Sequence, residues 1–195
     1  MSRLKTLKRV PPRRRREGLT DYRARLKLVK SGLPRLVIRK SNRYIQVQIV
    51  KSKAGGDETL LTVTSKHLLK YGWRAGTKNL SAAYLTGLLT GVLAKKKNIE
   101  KAIVDIGLYT PIKGSRIFAV VKGVIDAGVE VPVSEEKLPE DERIKGEHIE
   151  QYYQMIKNEN VKTIQFSKSL EEVYRRFTEH FTEIKEKILK EVDVS

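Results

Sequence analysis

RLVIRKSNRYIQVQIV, residues 35–50, decides the fold class because it reads as two β-strands joined by a turn. Residues 35–40 are rich in β-branched side chains, and residues 41–43 supply turn-forming ones. Residues 44–50 alternate between apolar and polar, which is typical of a strand with one buried face. We expect one face to carry Ile45, Val47 and Ile49, and the other Tyr44, Gln46 and Gln48.

The next residues extend this pair of strands into a meander. Residues 54–57, AGGD, form a second turn, and residues 59–64, TLLTVT, form a third strand. Short turns join neighbouring strands in antiparallel order, so we expect a three-stranded antiparallel meander. The glycine-punctuated loop that follows, residues 66–78, contains the only tryptophan, Trp73.

Helical and strand-like patterns alternate after the meander. A helix begins at Asn79 or Ser81 and continues to about Lys97, a short apolar strand follows at residues 102–107, and residues 116–127 form a second helix. The expected fold is α/β, with a mixed, largely antiparallel sheet packed with helices. The first of these helices has a buried stripe of Leu80, Ala83, Tyr84, Leu88, Val92 and Leu93, and small residues for close packing, Ala82, Gly87 and Gly91.

Composition divides the chain into four parts. We expect a basic N-terminal arm at residues 1–18, kept extended by two adjacent prolines, and an α/β domain at residues 19–132. Within this domain, Thr20 or Asp21 caps a short helix. Residues 133–166 are acidic and polar, and they indicate a linker or an extension along the surface.

The last part, residues 167–195, predicts a C-terminal helix. Ser169 and Glu172 match a capping box, and apolar residues recur behind them at helical spacing. This stripe packs either on the domain or on a partner, and docking on the domain is the more common outcome. The stripe consists of Leu170, Val173, Phe177, Phe181, Ile184 and Ile188.

Most of the formal net charge of +17 lies in the first quarter of the chain. Residues 1–51 hold 17 lysines and arginines against Glu17 and Asp21, whereas residues 52–195 hold 23 against 21 acidic residues. A polyanion relieves such crowding, and the release of counterions rewards each phosphate contact. We therefore expect a nucleic-acid partner; a solubilising tail and a basic membrane-surface segment are the alternatives.

Several function classes lack the residues they need. No apolar run approaches the roughly 20 residues of a membrane span, and no N-terminal stretch resembles a secretion signal. The absence of cysteine excludes thiol catalysis and fits an intracellular protein. His67, His148 and His180 lie far apart, and no nucleophile is paired with a base. We expect no enzymatic activity, no metal and no cofactor.

The polar face of the first two strands is a candidate RNA-binding surface. Planar rings and guanidinium groups stack on unpaired bases, and amides bond base edges or ribose hydroxyls. An ordinary solvated strand face is the alternative. Structured RNA is favoured over DNA because no helix carries a compact recognition pattern. The residues concerned are Arg39, Arg43, Tyr44, Gln46 and Gln48.

Four stretches together resemble a known family over roughly residues 1–150. They are residues 13–50, GTKNLSAAYLTGLLTG at 76–91, DIGLYTPIKGSRIFAVVKGVIDAGVEVP at 105–132, and the acidic segment reaching GEHIEQYY at 146–153. They are similar to the universal large-subunit ribosomal protein L-eighteen in its archaeal form. The tail beyond about residue 155 matches that family poorly.

The resemblance implies a structural protein of the large ribosomal subunit that binds 5S rRNA and attaches it to 23S rRNA in the central protuberance. It also implies contact with the neighbouring 5S-binding protein of the L-five family and a cytoplasmic location, with no membrane and no small-molecule substrate. Together with the basic pattern it assigns RNA binding to Arg13, Arg14, Arg15, Arg16, Tyr22, Arg23, Arg25, Lys27, Lys30, Arg35, Arg39, Lys40, Arg43, Tyr44, Gln46, Gln48, Lys113 and Arg116.

Two other functions are kept as alternatives. An RNA-processing or RNA-modifying factor with a basic arm would need a polar pocket with convergent titratable groups. A protein-interaction module would use the amphipathic tail as its binding surface.

Overall fold

A four-stranded sheet organises the computed structural model, which describes residues 10–158 and 171–193. The strands β1 (Arg35–Lys40), β2 (Ile45–Lys53) and β3 (Gly56–Thr64) form an antiparallel meander, and β4 (Ile103–Asp105) adds to the free edge of β1 in parallel. The order is β3-β2-β1-β4. The predicted mixed, largely antiparallel sheet is therefore confirmed.

One helix packs directly on the apolar face of the sheet, and a second helix packs against the first. Helix α3 (Leu80–Lys96) packs against β2 and β3, and helix α4 (Arg116–Asp126) packs along α3. Asn79 caps α3, since its side-chain oxygen accepts a hydrogen bond from the Ala82 N–H at 2.7 Å. Thirteen of the 17 residues of α3 are buried, so the expectation of a single buried stripe was too narrow. Helix α3 is enclosed on several sides, by the sheet, by α4 and by a C-terminal helix. The apolar periodicity of one segment does not show how many elements pack around it.

Glycines bring α3 and α4 into backbone contact. A Cβ atom on Gly87 would lie 2.1 Å from the Val120 carbonyl oxygen, and one on Gly123 would lie 2.2 Å from the Tyr84 carbonyl oxygen. A Cβ on Gly91 would meet the Ala127 side chain at 2.5 Å. The close packing predicted for Gly87 and Gly91 is confirmed. On α4, Gly123 is the residue whose missing side chain allows the same approach.

In the described ranges, the acidic segment and the tail contain a short 3-10 helix (Glu135–Lys137) and four α-helices. The α-helices are α5 (Asp141–Lys145), α6 (Glu147–Asn158), α7 (Glu171–Arg175) and α8 (Phe177–Asp193). Much of the segment predicted to be a linker is thus helical, and Ile144 and Tyr153 anchor it in buried positions.

The tail docks on the domain, because α8 packs against α3. The four members of its apolar stripe that lie on α8 are almost fully buried, so this stripe is not available to a partner. Ser169 and Leu170 lie outside the described residues. The buried members on α8 are Phe177, Phe181, Ile184 and Ile188.

The described part of the arm contains a short helix, α1 (Arg13–Arg16), where an extended chain was predicted. The carbonyl of Pro12 accepts hydrogen bonds from the N–H groups of Arg15 and Arg16 at 2.9 and 3.1 Å. Proline is compatible with a helix start, because the missing N–H would have no partner there. Residues 1–9 lie outside the described ranges.

The loop predicted at residues 66–78 is also more ordered than expected. A 3-10 helix occupies Ser65–Tyr71, and Trp73 behind it is buried. The edge of the Phe177 ring meets the Trp73 indole, with ring centres 5.7 Å apart, and the His180 ring stacks on the indole at 5.2 Å. This tryptophan therefore joins the meander side of the domain to α8.

Candidate nucleic-acid interface

The face of the sheet opposite α3 is polar. Side chains alternate along a strand, so burial of Leu36 and Ile38 in the core turns Arg35, Val37 and Arg39 to the other face. In the antiparallel register, Gln48 lies opposite Val37 and Gln46 lies opposite Arg39. We call these positions, with Tyr44 at the start of β2, the open face.

A short helix lies over the open face. Helix α2 (Tyr22–Lys30) begins at Asp21, whose carboxylate accepts hydrogen bonds from the N–H groups of Arg23 and Ala24 at 2.9 and 3.2 Å. Of the two predicted caps, Asp21 is thus the one used. Between α2 and the sheet lies a cleft of about 890 Å³, and α2 itself has no buried residue. Apolar burial therefore contributes little to its position.

A chain of alternating charges joins α2 to the sheet. Arg25 Nη2 lies 2.6 Å from Asp57 Oδ2, and Arg35 Nη2 lies 2.5 Å from the same oxygen. Arg35 Nη1 lies 2.7 Å from Asp105 Oδ2, and Asp105 Oδ1 faces Arg39 Nη2 at 3.8 Å. The Arg35 and Asp105 side chains are almost fully buried. We call these five residues the ionic chain.

The ionic chain changes how two predicted RNA-binding residues are interpreted. The guanidinium of Arg35 is used inside the protein, and that of Arg25 is held by Asp57. Arg35 is buried and cannot reach a phosphate at the surface, and the charge of Arg25 is already paired, so we omit both from the proposed interface. Sequence reasoning missed the organising role of Asp57 and Asp105. The available indication was Asp105 itself, an acidic residue in an otherwise apolar strand.

Because the ionic chain contains Asp57, we expect the free energy of unfolding to fall at acidic pH. Burial opposes ionisation of Asp57, but the hydrogen bond and charge of Arg35, with the charge of Arg25, hold the pKa of this carboxyl below its ordinary value of 3.8. When folding lowers the pKa of a carboxyl, its ionised form stabilises the folded protein at pH values above the unfolded-state pKa. This contribution is lost as the pH falls through the folded-state pKa. The loss is therefore expected below about pH 4.

Asp57→Asn tests this dependence. Urea unfolding, followed by Trp73 fluorescence from pH 7 to pH 3, should show a less stable variant at neutral pH and a difference that shrinks below pH 4. A difference between variant and wild type that stays constant across this range would contradict the role given to Asp57.

Cations without an internal partner surround α1 and α2. Of their eight arginines and lysines, Arg13 pairs with Glu17 and Arg25 pairs with Asp57. Arg14 Nε donates to Thr20 Oγ1 at 2.9 Å, which orients the side chain without neutralising it. Six of these cations make no ion pair within the described ranges: Arg14, Arg15, Arg16, Arg23, Lys27 and Lys30.

A second, smaller cleft of about 300 Å³ lies at the end of the open face. Its lining includes Arg39, Lys40, Tyr44 and Gln46, four residues that the sequence assigned to RNA. Sequence reasoning missed Lys66, which also lines this cleft.

The remaining predicted residues lie elsewhere. Arg43 is exposed beyond the strand end, and Tyr22 is half-buried at the start of α2. Lys113 and Arg116 line neither cleft, and Arg116 Nη1 donates to the Lys78 carbonyl at 3.2 Å. The structure therefore brings Arg14, Arg25 and Lys27 of α1 and α2 to the cleft over the open face. It does not bring Lys113 and Arg116, which lie before and at the start of α4, to the same place.

Two further observations concern the described ranges. None of the helices there is both long and apolar enough to cross a membrane. No group of three or more histidine, aspartate or glutamate side chains in the same ranges is arranged to hold a metal ion.

Comparison with known proteins places this architecture in a family. Residues 7–101 match the model described as ribosomal large subunit proteins 60S L5 and 50S L18. Curated relatives named large ribosomal subunit protein uL18 include one from Methanothermobacter thermautotrophicus, 49% identical over 92% of this chain and 94% of its own length. Another, from Korarchaeum cryptofilum, is 52% identical over 82% of each chain.

A third relative with that name, from Aeropyrum pernix, is 49% identical over 84% of this chain and 78% of its own length. The alignment covering 92% of the chain extends past residue 155 into the tail. With about half of all residues identical over most of the chain, the protein belongs to the archaeal uL18 family of large-subunit ribosomal proteins.

Proposed function

We propose that this protein is a structural component of the large ribosomal subunit that binds 5S rRNA and attaches it to 23S rRNA in the central protuberance. The proposal rests on the six unpaired cations of α1 and α2 beside the polar open face. Family membership supports the ribosomal setting. In this setting the chain acts through binding and positioning, and no step of covalent chemistry is required of it.

The distribution of charge supports RNA as the partner of this surface. The two acidic residues nearest to these cations in sequence are already used, since Glu17 pairs with Arg13 and Asp21 caps α2. A phosphate backbone can neutralise the rest, and each contact releases counterions from the RNA. If about six phosphates are contacted, the logarithm of affinity should fall with the logarithm of salt concentration at a slope of roughly −4 to −5.

The same surface would contact both RNA ligands, and the neighbouring protein would meet it through the RNA. A cation-rich helix pair contacts phosphates without reading sequence, which suits attachment of one folded RNA to another. We assign the bases of 5S rRNA to the open face, where planar side chains can contact them, and the phosphates of both RNAs to the cations of α1 and α2. The neighbouring 5S-binding protein of the L-five family would contact the same RNA, and the complex would reside in ribosomes of the cytoplasm.

Replacement of three unpaired arginines tests the surface. The triple variant Arg14→Ala, Arg15→Ala and Arg16→Ala should bind 5S rRNA more weakly, and its salt slope should be shallower by about two, because each lost phosphate contact removes roughly 0.7 to 0.9 of a unit. Filter binding between about 0.05 and 0.2 M salt measures both quantities.

A matched control separates a local effect from a change in net charge. The triple variant Lys53→Ala, Lys101→Ala and Lys157→Ala removes the same charge from cations that are already paired, with Glu58, Glu130 and Glu171. Its affinity and slope should remain close to those of the wild type. Equal losses in the two variants would contradict a localised RNA surface, and wild-type protein that does not bind 5S rRNA at low salt would overturn the proposed function.

A further inference from the structure

The smaller cleft of the open face has the properties of a pocket for one planar ligand. It is a partly open cleft of about 300 Å³, at the lower end of the range for ligand pockets. No acidic side chain lines it, so an anion meets no repulsion there. We call it the Tyr44 pocket; its lining consists of Arg39, Lys40, Ser41, Tyr44, Gln46, Thr64 and Lys66.

Arg39 forms a fixed platform on one side of this pocket. Its Nη1 donates to the carbonyl oxygens of Ile38 and Asp105 at 3.0 and 3.3 Å. A Cβ atom on Gly107 would lie 3.1 to 3.2 Å from Nη1, Cζ and Nη2 alike, so the guanidinium plane lies flat on the glycine. The side chain is nonetheless 42% exposed, because its other face is open. A guanidinium held in this way is ready to stack.

Tyr44 and Gln46 provide unused groups beside that platform. They lie two residues apart on the same face, and Gln46 is directly opposite Arg39 in the register. Within the described part of the chain, the Tyr44 ring stacks on no aromatic side chain, and neither its hydroxyl nor the Gln46 amide makes a hydrogen bond. Both side chains are half-buried, so an unpartnered ring and an unpartnered amide converge beside a guanidinium that is held in place by protein groups.

Lysines occupy the rim of the Tyr44 pocket. Lys66 is exposed and makes no ion pair among the described residues, and Lys40 lies over the Tyr109 ring at 4.7 Å. Cations at the rim with planar groups inside match the division of a nucleotide into phosphate and base. A base within a duplex is not suitable, because neighbouring base pairs already cover both of its faces.

We infer that the Tyr44 pocket receives a single unpaired RNA nucleotide, whose base stacks on Arg39 and Tyr44. Gln46 bonds the edge of the base, and Lys66 contacts its phosphate. This inference rests on the proposed function and refines it: the open face recognises an extruded nucleotide of 5S rRNA, whereas the cations of α1 and α2 contact phosphates independently of sequence.

Three variants of the full chain test the pocket. Tyr44→Ala should lower affinity for 5S rRNA by about 5- to 150-fold, the range measured for loss of one stacked base. Tyr44→Phe keeps the ring and should retain most of the affinity. Tyr152→Ala removes an exposed tyrosine of α6 that lines neither cleft, and this variant should bind as the wild type does. The salt slope should be the same for all three, since no cation is removed.

Chemical probing of the RNA identifies the ligand in the same complexes. Reagents that modify unpaired bases should find one nucleotide protected by wild type and by Tyr44→Phe, and accessible with Tyr44→Ala. If Tyr44→Ala matched the wild type in affinity and in nucleotide protection, the pocket would be overturned and the proposed function would stand. Weaker binding without exposure of a single nucleotide would also overturn the pocket, because it would indicate a structural role or a protein ligand. If the wild-type protein did not bind 5S rRNA, both the pocket and the proposed function would be overturned.

Discussion

Replacing Asp105 with asparagine should lower the free energy of unfolding by about 3–5 kcal/mol, the range for breaking a buried ion pair by removing one partner. Asp105 is 6% exposed and accepts a hydrogen bond from buried Arg35 at 2.7 Å. The variant keeps the shape of the side chain but leaves Arg35 with less negative charge beside it. Arg35 cannot compensate by moving toward water, and its Nε already has no hydrogen-bond partner within the described ranges.

Urea unfolding at neutral pH, followed by Trp73 fluorescence and by circular dichroism, measures this loss. Glu58→Gln is the matched control, because it makes the same change from carboxylate to amide in a solvent-exposed pair with Lys53. Exposed pairs contribute little, so the control should unfold close to the wild type. If Asp105→Asn were no less stable than Glu58→Gln, the ionic chain would have no role in stability.

Replacing Phe177 with alanine should cost a similar amount, about 3–5 kcal/mol. The ring is fully buried and meets the Trp73 indole edge-on and the Tyr174 ring at 6.0 Å. It also covers the α5–α6 junction, where a Cβ on Gly146 would lie 2.2 Å from Phe177 Cε1. Truncation would leave a cavity shared by three segments, and glycine at position 146 could not fill it.

Leu189→Ala provides the comparison, since it shortens an apolar side chain of the same helix that is 38% exposed. It should cost much less than Phe177→Ala. Limited proteolysis adds a second measurement, because loss of the Phe177 anchor should expose α8 to cleavage before the domain unfolds. Equal stability of the two variants would show that α8 is held by contacts other than this ring.

Local patterns predicted much of the fold correctly. The alternation in residues 44–50 identified the buried face of β2, and the helical spacing of Phe177, Phe181 and Ile184 identified the face of α8 that docks on α3. These patterns are reliable because burial on one face imposes a period of 2 on a strand and of 3.6 on a helix. The small residues Gly87 and Gly91 indicated a close helix contact for the same kind of local reason.

The candidate site was less predictable. Arg35 and Arg39 are four residues apart on the same face of β1, yet Arg35 is buried in ion pairs whereas Arg39 lies against Gly107 with its other side exposed. Nothing near them in sequence separates these two outcomes. The difference arises from Asp57 and Asp105, which lie 22 and 70 positions away from Arg35 along the chain.

By itself the sequence determined the strands, the main helices, the crowding of cations before residue 52 and the family resemblance, because each depends on neighbouring residues or on a sum over them. Only the tertiary structure decided which cations are free, that the tail covers α3, and that Arg39, Tyr44 and Gln46 share one pocket. A guanidinium has the same charge wherever it lies. Its availability to RNA depends on whether folding brings a carboxylate from a distant segment within hydrogen-bonding distance.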